Sequence, residues 1–435
     1  VSQSTTNTVT ASFPGPGGTP ITTPPSEASV DVPSLTINKE VCTSTNPADC
    51  GDGGAGPWAK TTTVTPNGTA YWRITVTNNG TVNLTGITLT DTVTPSCVTA
   101  AGTFDLAAGA SHQIFCNLPD ITKLTTNTVT ASFPGPGGTP ITTPPSEASV
   151  DVPSLTINKE VCTSTNAADC GDGGPGPWAK TTTLAPNGTA YWRITVTNNG
   201  TVNLTGITLT DTVTPSCVTA AGTFDLAAGA SKQVFCNLTD ITKLTTNTVT
   251  ASFPGPGGTP ITTPPSEASA DVPSLVINKE VCTSANAADC GEGGAGPWTK
   301  TTTVAPNGTA YWRITVTNNG TVNLTGITLT DTVTPSCVTA AGTFDLAAGA
   351  SHQVFCNLTS VSQSTTNTVT ASFPGPGGTP ITTPPSEASV DVPSLTINKE
   401  VCTSTNAADC GDGGAGPWAK TTTVTPTARP TGASR

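Results

Sequence analysis

The sequence predicts an all-β chain of tandem β-sandwich domains strung into an extended rod. Three observations carry that expectation. In residues 72–93, Trp72, Ile74 and Val76 alternate with Arg73, Thr75 and Thr77, and Ile87, Leu89 and Val93 alternate with Thr88, Thr90 and Thr92. Such period-two alternation of β-branched and aromatic residues marks half-buried strands. The same words return at 192–213 and 312–333, and TTNTVTASFPGPGG starts at Thr5, Thr125, Thr245 and Thr365, a step of 120 residues each time. Short strand-like runs are punctuated by Gly/Pro clusters, with no helical periodicity of useful length, which is the pattern of a sandwich.

The elements follow in order. SLTINKEV, residues 34–41, is an opening strand with Leu35, Ile37 and Val41 on one face. Residues 42–58 form a glycine-rich loop. Residues 72–93 read as two strands joined in a hairpin, with Asn79-Gly80 supplying the positive φ of a tight turn. FDLAAGAS, 104–111, reads as strand, turn and strand, and TNTVTASF, 126–133, as the next strand. Residues 134–147 form a rigid Pro/Gly loop leading to ASVDVP, 148–153, a closing strand with Ala148, Val150 and Val152 inward. Closure sets the phase of the repeat: complete domains at 34–153, 154–273 and 274–393, the tail of a preceding copy at 1–33, and the start of a following one at 394–435. The Pro153-Ser154 junction is too short to be a flexible linker. At the far end, TARPTGASR (427–435) replaces the NGTAYWRIT of the repeat. If the repeat is encoded AAC GGC ACG GCC TAC TGG CGC ATC ACG G, deleting the first base gives that tail at every position, so 427–435 reads as a frameshift. With no Met, leader or anchor visible, the chain reads as one whose ends were removed, or as a window onto a longer one.

Composition narrows the function. A net charge of −12, with 10% charged residues and no basic stripe, argues against nucleic acid. No apolar run is long enough to span a membrane. Fourteen cysteines in a chain rich in Thr, Gly and Pro point to an oxidising, extracellular compartment. Their spacing lacks the close pairs of a zinc site. Of three connectivities per repeat, local pairing is preferred: Cys42 with Cys50, Cys97 with Cys116, Cys162 with Cys170, Cys217 with Cys236, Cys282 with Cys290, Cys337 with Cys356, and Cys402 with Cys410. Asp49 and Asp52 have too few neighbouring oxygens for calcium. His112 is Lys232 in the next copy, which marks His112 and His352 as exposed rather than catalytic. Asn67, Asn79 and Asn83 lie in N-x-T sequons, and Thr75, Thr77, Thr88, Thr90 and Thr92 form rows that fit a soluble β face. No catalytic triad, phosphate loop or metal cluster is present, so neither an enzyme acting on an outside substrate nor a cofactor is expected.

One set of residues breaks the pattern. Asp91 holds an inward place in its strand, as do Lys39 beside Leu35, Ile37 and Val41, and Asn127 beside Val129, Ala131 and Phe133. Lys159, Asp211 and Asn247 repeat the set, and so do Lys279, Asp331 and Asn367. Burying such groups unpaired would cost roughly several kcal/mol each. Two readings stay open at this point. One is a buried Lys–Asp salt bridge with the Asn hydrogen-bonded beside it. The other is an intramolecular Lys–Asn isopeptide bond, with the Asp as assisting acid.

INKEV, YWRITVTNNGTVNLTGITLTDTV and LTTNTVTASF together resemble the prokaryotic surface-repeat family known as domain of unknown function eleven, over all three complete domains. That resemblance implies immunoglobulin-like sandwiches in tandem on secreted or surface proteins. In their inward Lys, Asp and Asn the strands also resemble the isopeptide-bonded Ig-like domains of pilins and adhesins. The role expected is structural, in an extracellular fibre, stalk or surface layer whose partners are further copies of itself. The alternative is an adhesin whose repeats bind glycans of a cell wall or another surface.

Overall fold

The computed structural model describes residues 4–421 and 423, so the frameshift expected at 427–435 lies outside the described residues. Two compact units divide the chain near Pro273. Strands fill 35–151, 155–271 and 275–391 in the same order, each stretch forming two sheets over one core. The first of these stands for all three.

Its strands are β1 (Leu35–Cys42), β2 (Trp58–Ala59), β3 (Thr61–Thr63), β4 (Gly68–Asn78) and β5 (Leu84–Asp91), then β6 (Phe104–Leu106), β7 (Ser111–Ile121), β8 (Thr125–Pro134), β9 (Pro140–Thr142) and β10 (Ser146–Asp151). One sheet runs β7-β4-β1-β2. The other runs β6-β5-β8-β10-β3, with β9 paired to the end of β8. All pairs are antiparallel except β10 with β3. This is an immunoglobulin-like sandwich. Ile74 and Val76 on β4 pack with Ile87 on β5 and Val129, Ala131 and Phe133 on β8, and Trp72 on β4 packs with Ala148 and Val150 on β10, all buried. Each large apolar side chain in this layer contributes about 1.5–3 kcal/mol by leaving water.

The hairpin expected at 72–93 does not form. β4 and β5 belong to opposite sheets, and the link between them crosses the core edge. Alternation fixes which face of a strand is buried, not which sheet it joins, and two inward faces meet equally well across a core. Asn79 and Gly80 keep negative φ. Gly80 is needed for closeness instead: a Cβ there would come within 3.0 Å of the Ser34 amide nitrogen. The crossover is held by Asn78, fully buried, whose Nδ2 donates to the carbonyls of Val82, Leu106 and Ala107 at 2.8–3.1 Å, while its Oδ1 accepts from Gly80 N at 3.0 Å.

Other differences are local. A helix, α1 (Pro95–Ala101), stands where none was expected; Pro at its start has the right φ, and seven residues are too few to show a periodicity. The Pro/Gly loop is partly a hairpin, since β9 returns along Ser132–Pro134. Val93 lies beyond the end of β5. The strand–turn–strand at 104–111 forms as expected, and so do the inward faces of β8 and β10. His112 is exposed and stacks on Phe104 at 4.8 Å; Lys232 makes the same contact with Phe224, which explains the exchange. Between the first two sandwiches, Thr201 Oγ1 donates to Asp151 Oδ1, tying the closing strand of one to the crossover of the next.

Candidate functional site

Every cysteine is disulfide-bonded, in the local pairing: Cys42–Cys50, Cys97–Cys116 and their counterparts, through Cys402–Cys410. The first staples the glycine-rich loop. There Asp49 takes hydrogen bonds from Ser44 Oγ at 2.7 Å and Asn46 Nδ2 at 3.2 Å, and its carbonyl accepts from Gly56 N, so its oxygens shape the loop itself. The second pins α1 to β7 across the sandwich edge. Among the described residues, no helix is long and apolar enough to cross a membrane.

The inward Lys, Asp and Asn meet in the core. Lys39 stands on β1 in one sheet. Asp91 at the end of β5 and Asn127 near the start of β8 stand on adjacent strands of the other, diagonal to each other in a register that pairs Asp91 with Val129. Lys39 and Asn127 are 0% exposed and Asp91 4%. Lys39 Nζ donates to Asp91 Oδ2, an ion pair that joins the two sheets, and lies 5.6 Å from the centre of the Trp72 ring. Asp91 Oδ1 accepts from Val93 N at 3.1 Å, Thr94 N at 2.6 Å and Thr94 Oγ1 at 2.9 Å. Asn127 makes no hydrogen bond to Lys39. Its Oδ1 accepts from Val93 N at 3.3 Å and Thr92 Oγ1 at 3.4 Å, and its Nδ2 donates to Thr94 Oγ1 at 3.3 Å. Lys159, Asp211 and Asn247, and Lys279, Asp331 and Asn367, are buried in the same way, each lysine on its aspartate.

Burial pulls the Lys39 amine below its ordinary pKa, with Asp91 opposing. Burial pushes Asp91 up, but the Lys39 ammonium and the Thr94 N–H and hydroxyl outweigh it and hold the carboxyl below its usual range. The cluster is thus a buried Lys–Asp pair with an amide beside it. Chemically, that set can do two things. It can stay an ion pair, or the amine can give its proton to the carboxylate and become a nucleophile.

Two contributors were not singled out from the sequence. Thr94 lies past the strand, where alternation no longer speaks. Thr92, read as part of an outward row, sends its hydroxyl to Asn127 and accepts from Thr128 N at 3.0 Å.

A family model, domain of unknown function (DUF7617), matches residues 31–152, 151–272, 271–392 and 391–427. The chain belongs to this family. Its DUF7617 repeats therefore stand in tandem, four matches in succession. No curated protein matches the sequence. Among solved structures, the tetra-tandem repeat from the extending region of a large adhesion protein is similar at 16% identity and TM-score 0.24, covering 89% of this chain and 81% of that one. Domains A168–A170 of titin are similar at 11% identity and TM-score 0.23, covering 83% and 98%. Alpha-2-macroglobulin of E. coli is similar at 10% identity and TM-score 0.21, and the DUF7617 chain spans 34% of its length.

Proposed function

We propose that the chain is a load-bearing, non-enzymatic part of an extracellular fibre, stalk or surface layer, assembled with further copies of itself. In this reading each complete repeat is braced by two disulfides and by a self-formed isopeptide bond: Lys39–Asn127, Lys159–Asn247 and Lys279–Asn367, with Asp91, Asp211 and Asp331 as the assisting acids. The observation that carries it is the span of the cluster. The amine comes from one sheet and the carboxamide from the other, so the bond would close the sandwich through its core. Lys39 gives a proton to Asp91, which leaves two neutral groups that a dry site favours. The amine then attacks Asn127 Cγ, the Cγ–Nδ2 bond breaks, and ammonia departs. The disulfides support an oxidising compartment. The likeness of the strand words to domain of unknown function eleven supports a surface array.

Pulling single chains from their ends, with disulfides reduced, tests the load-bearing role. A repeat bonded at 39 and 127 should release only the segments outside the bond, roughly 100 Å, whereas an open one releases roughly 400 Å at about 3.5 Å per residue. Full-length release from the three repeats would contradict the brace.

A further inference from the structure

Resting on the isopeptide reading, we propose that Thr94, and with it Thr214 and Thr334, is a further catalytic residue, whose hydroxyl carries a proton from the Asp91 carboxyl to the departing nitrogen of Asn127. Thr94 stands at the N-cap of α1, where a threonine hydroxyl ordinarily accepts from the first turn of the helix. It makes no such bond, and neither do Thr214 and Thr334 before their helices. The hydroxyl is turned into the core instead, in a residue only 4% exposed. It donates to Asp91 Oδ1 at 2.9 Å and accepts from Asn127 Nδ2 at 3.3 Å. The same two bonds recur in the other repeats at 2.9 and 3.4 Å. Among the described residues, this hydroxyl is the group bonded both to the carboxyl and to the nitrogen that must leave. On the other side of the amide, Thr92 Oγ1 and the Val93 N–H already donate to Asn127 Oδ1 and would hold the negative charge that attack places there.

The protons balance. Lys39 begins as an ammonium and ends as an amide N–H, so Nζ loses two protons to the Asp91 carboxylate. Asn127 Nδ2 leaves with its own two hydrogens and needs one more to depart as ammonia. Once attack makes Nδ2 pyramidal, it gains a lone pair. The Asp91 carboxyl, protonated at Oδ2 by Lys39, turns that oxygen toward Thr94, whose hydroxyl gives its own hydrogen to Nδ2 and takes the carboxyl's in exchange. One proton stays on Asp91 as a neutral acid. The Nζ–Cγ bond forms, Cγ–Nδ2 breaks, and no oxidant or cofactor enters.

The test uses the full chain with Thr94→Val, Thr94→Ser and Asn127→Ala, the second and third repeats serving as internal controls. Intact mass after reduction and peptide mapping read the bond in each repeat, and its formation is timed after synthesis. Thr94→Val should leave the first repeat open, ~17 Da heavier than the same variant with all three bonds closed, or slow its closure at least tenfold. Thr94→Ser should close it as wild type does. Asn127→Ala cannot form the bond and sets the melting temperature of an open, folded first repeat, which Thr94→Val should match. Three results would overturn the proposal: closure of Thr94→Val at the wild-type rate, failure of Thr94→Ser to close, or a Thr94→Val repeat that melts far below Asn127→Ala, where the loss is one of folding. A wild-type chain with no ammonia lost removes the bond and the relay together; a closed wild type with a closed Thr94→Val removes the relay alone.

Discussion

Two of the letter-for-letter copies of SLTINKEVC, at 34–42 and at 394–402, fold differently. In the first, Leu35–Cys42 is one strand with Leu35 9% exposed and Lys39 sealed in the core. In the second, only Val401–Cys402 is strand, Leu395 is 87% exposed, and Lys399 is exposed with it. The loop that follows behaves the other way. Cys402–Cys410 closes, Asn406 caps its short helix through Ala408 N, and Ser404 reaches Asp409 at 2.8 Å, as in the complete repeats. The glycine-rich loop is therefore encoded by its own residues. The strand that carries the lysine is encoded by what lies beside it, because β-propensity is mostly packing against neighbours. Beyond residue 394, the described residues include no counterpart of Gly68–Asn78 for it to pair with.

The sharpest way to break this comparison is to remove both lysines in turn. Lys39→Ala leaves Asp91 buried without its cation and removes the inter-sheet link, so the first repeat should lose about 3–5 kcal/mol and melt as a separate, earlier transition. Lys399→Ala should change nothing measurable by calorimetry. Equal effects would mean that burial does not distinguish the two sites.

A smaller effect separates two neighbours. Asn78→Ala strips partners from three carbonyls at the crossover and should cost about 1–3 kcal/mol. Asn79→Ala, at an exposed residue whose Nδ2 reaches Thr36 Oγ1, should stay within about 0.5 kcal/mol. Urea melts of the two variants give the answer, and the reverse order would restore the tight turn that the sequence suggested.

That pair also shows how much was legible. Parity along a strand exposes any polar residue in an inward place, and so Lys39, Asp91 and Asn127 could be found before any coordinates. Asn78 sits on the same inward row as Trp72, Ile74 and Val76, but the Asn-Gly step beside it drew attention to a turn. The partner sheet of β5 could not be read, since both sheets offer an apolar face to the same core. Thr94 lies after the strand ends, and nothing local marks a hydroxyl that gives up its capping bond for a distant amide.

The smallest effect is in acid. A carboxyl whose folded pKa lies below its unfolded value contributes stability above the unfolded value and loses it as pH falls through the folded one. Asp91 is such a group, held low by Lys39 and Thr94 against the opposing pull of burial. Burial also depresses Lys39, so both slopes run the same way and stability rises with pH. In Asn127→Ala, which keeps the ion pair, the first repeat should lose melting temperature from about pH 4 downward. The wild-type repeat should lose less, because a bonded Lys39 has no ammonium to hold Asp91 ionised. Parallel acid curves for the two would argue that the wild type keeps the ion pair.

The most direct measurement is the intact mass of the reduced wild-type chain with its peptide map. The bond should remove ~17 Da at each of three places, with linked peptides at Lys39–Asn127, Lys159–Asn247 and Lys279–Asn367 and a free amine at Lys399. The full sequence mass, with every lysine free, would contradict the account and leave three buried ion pairs in its place.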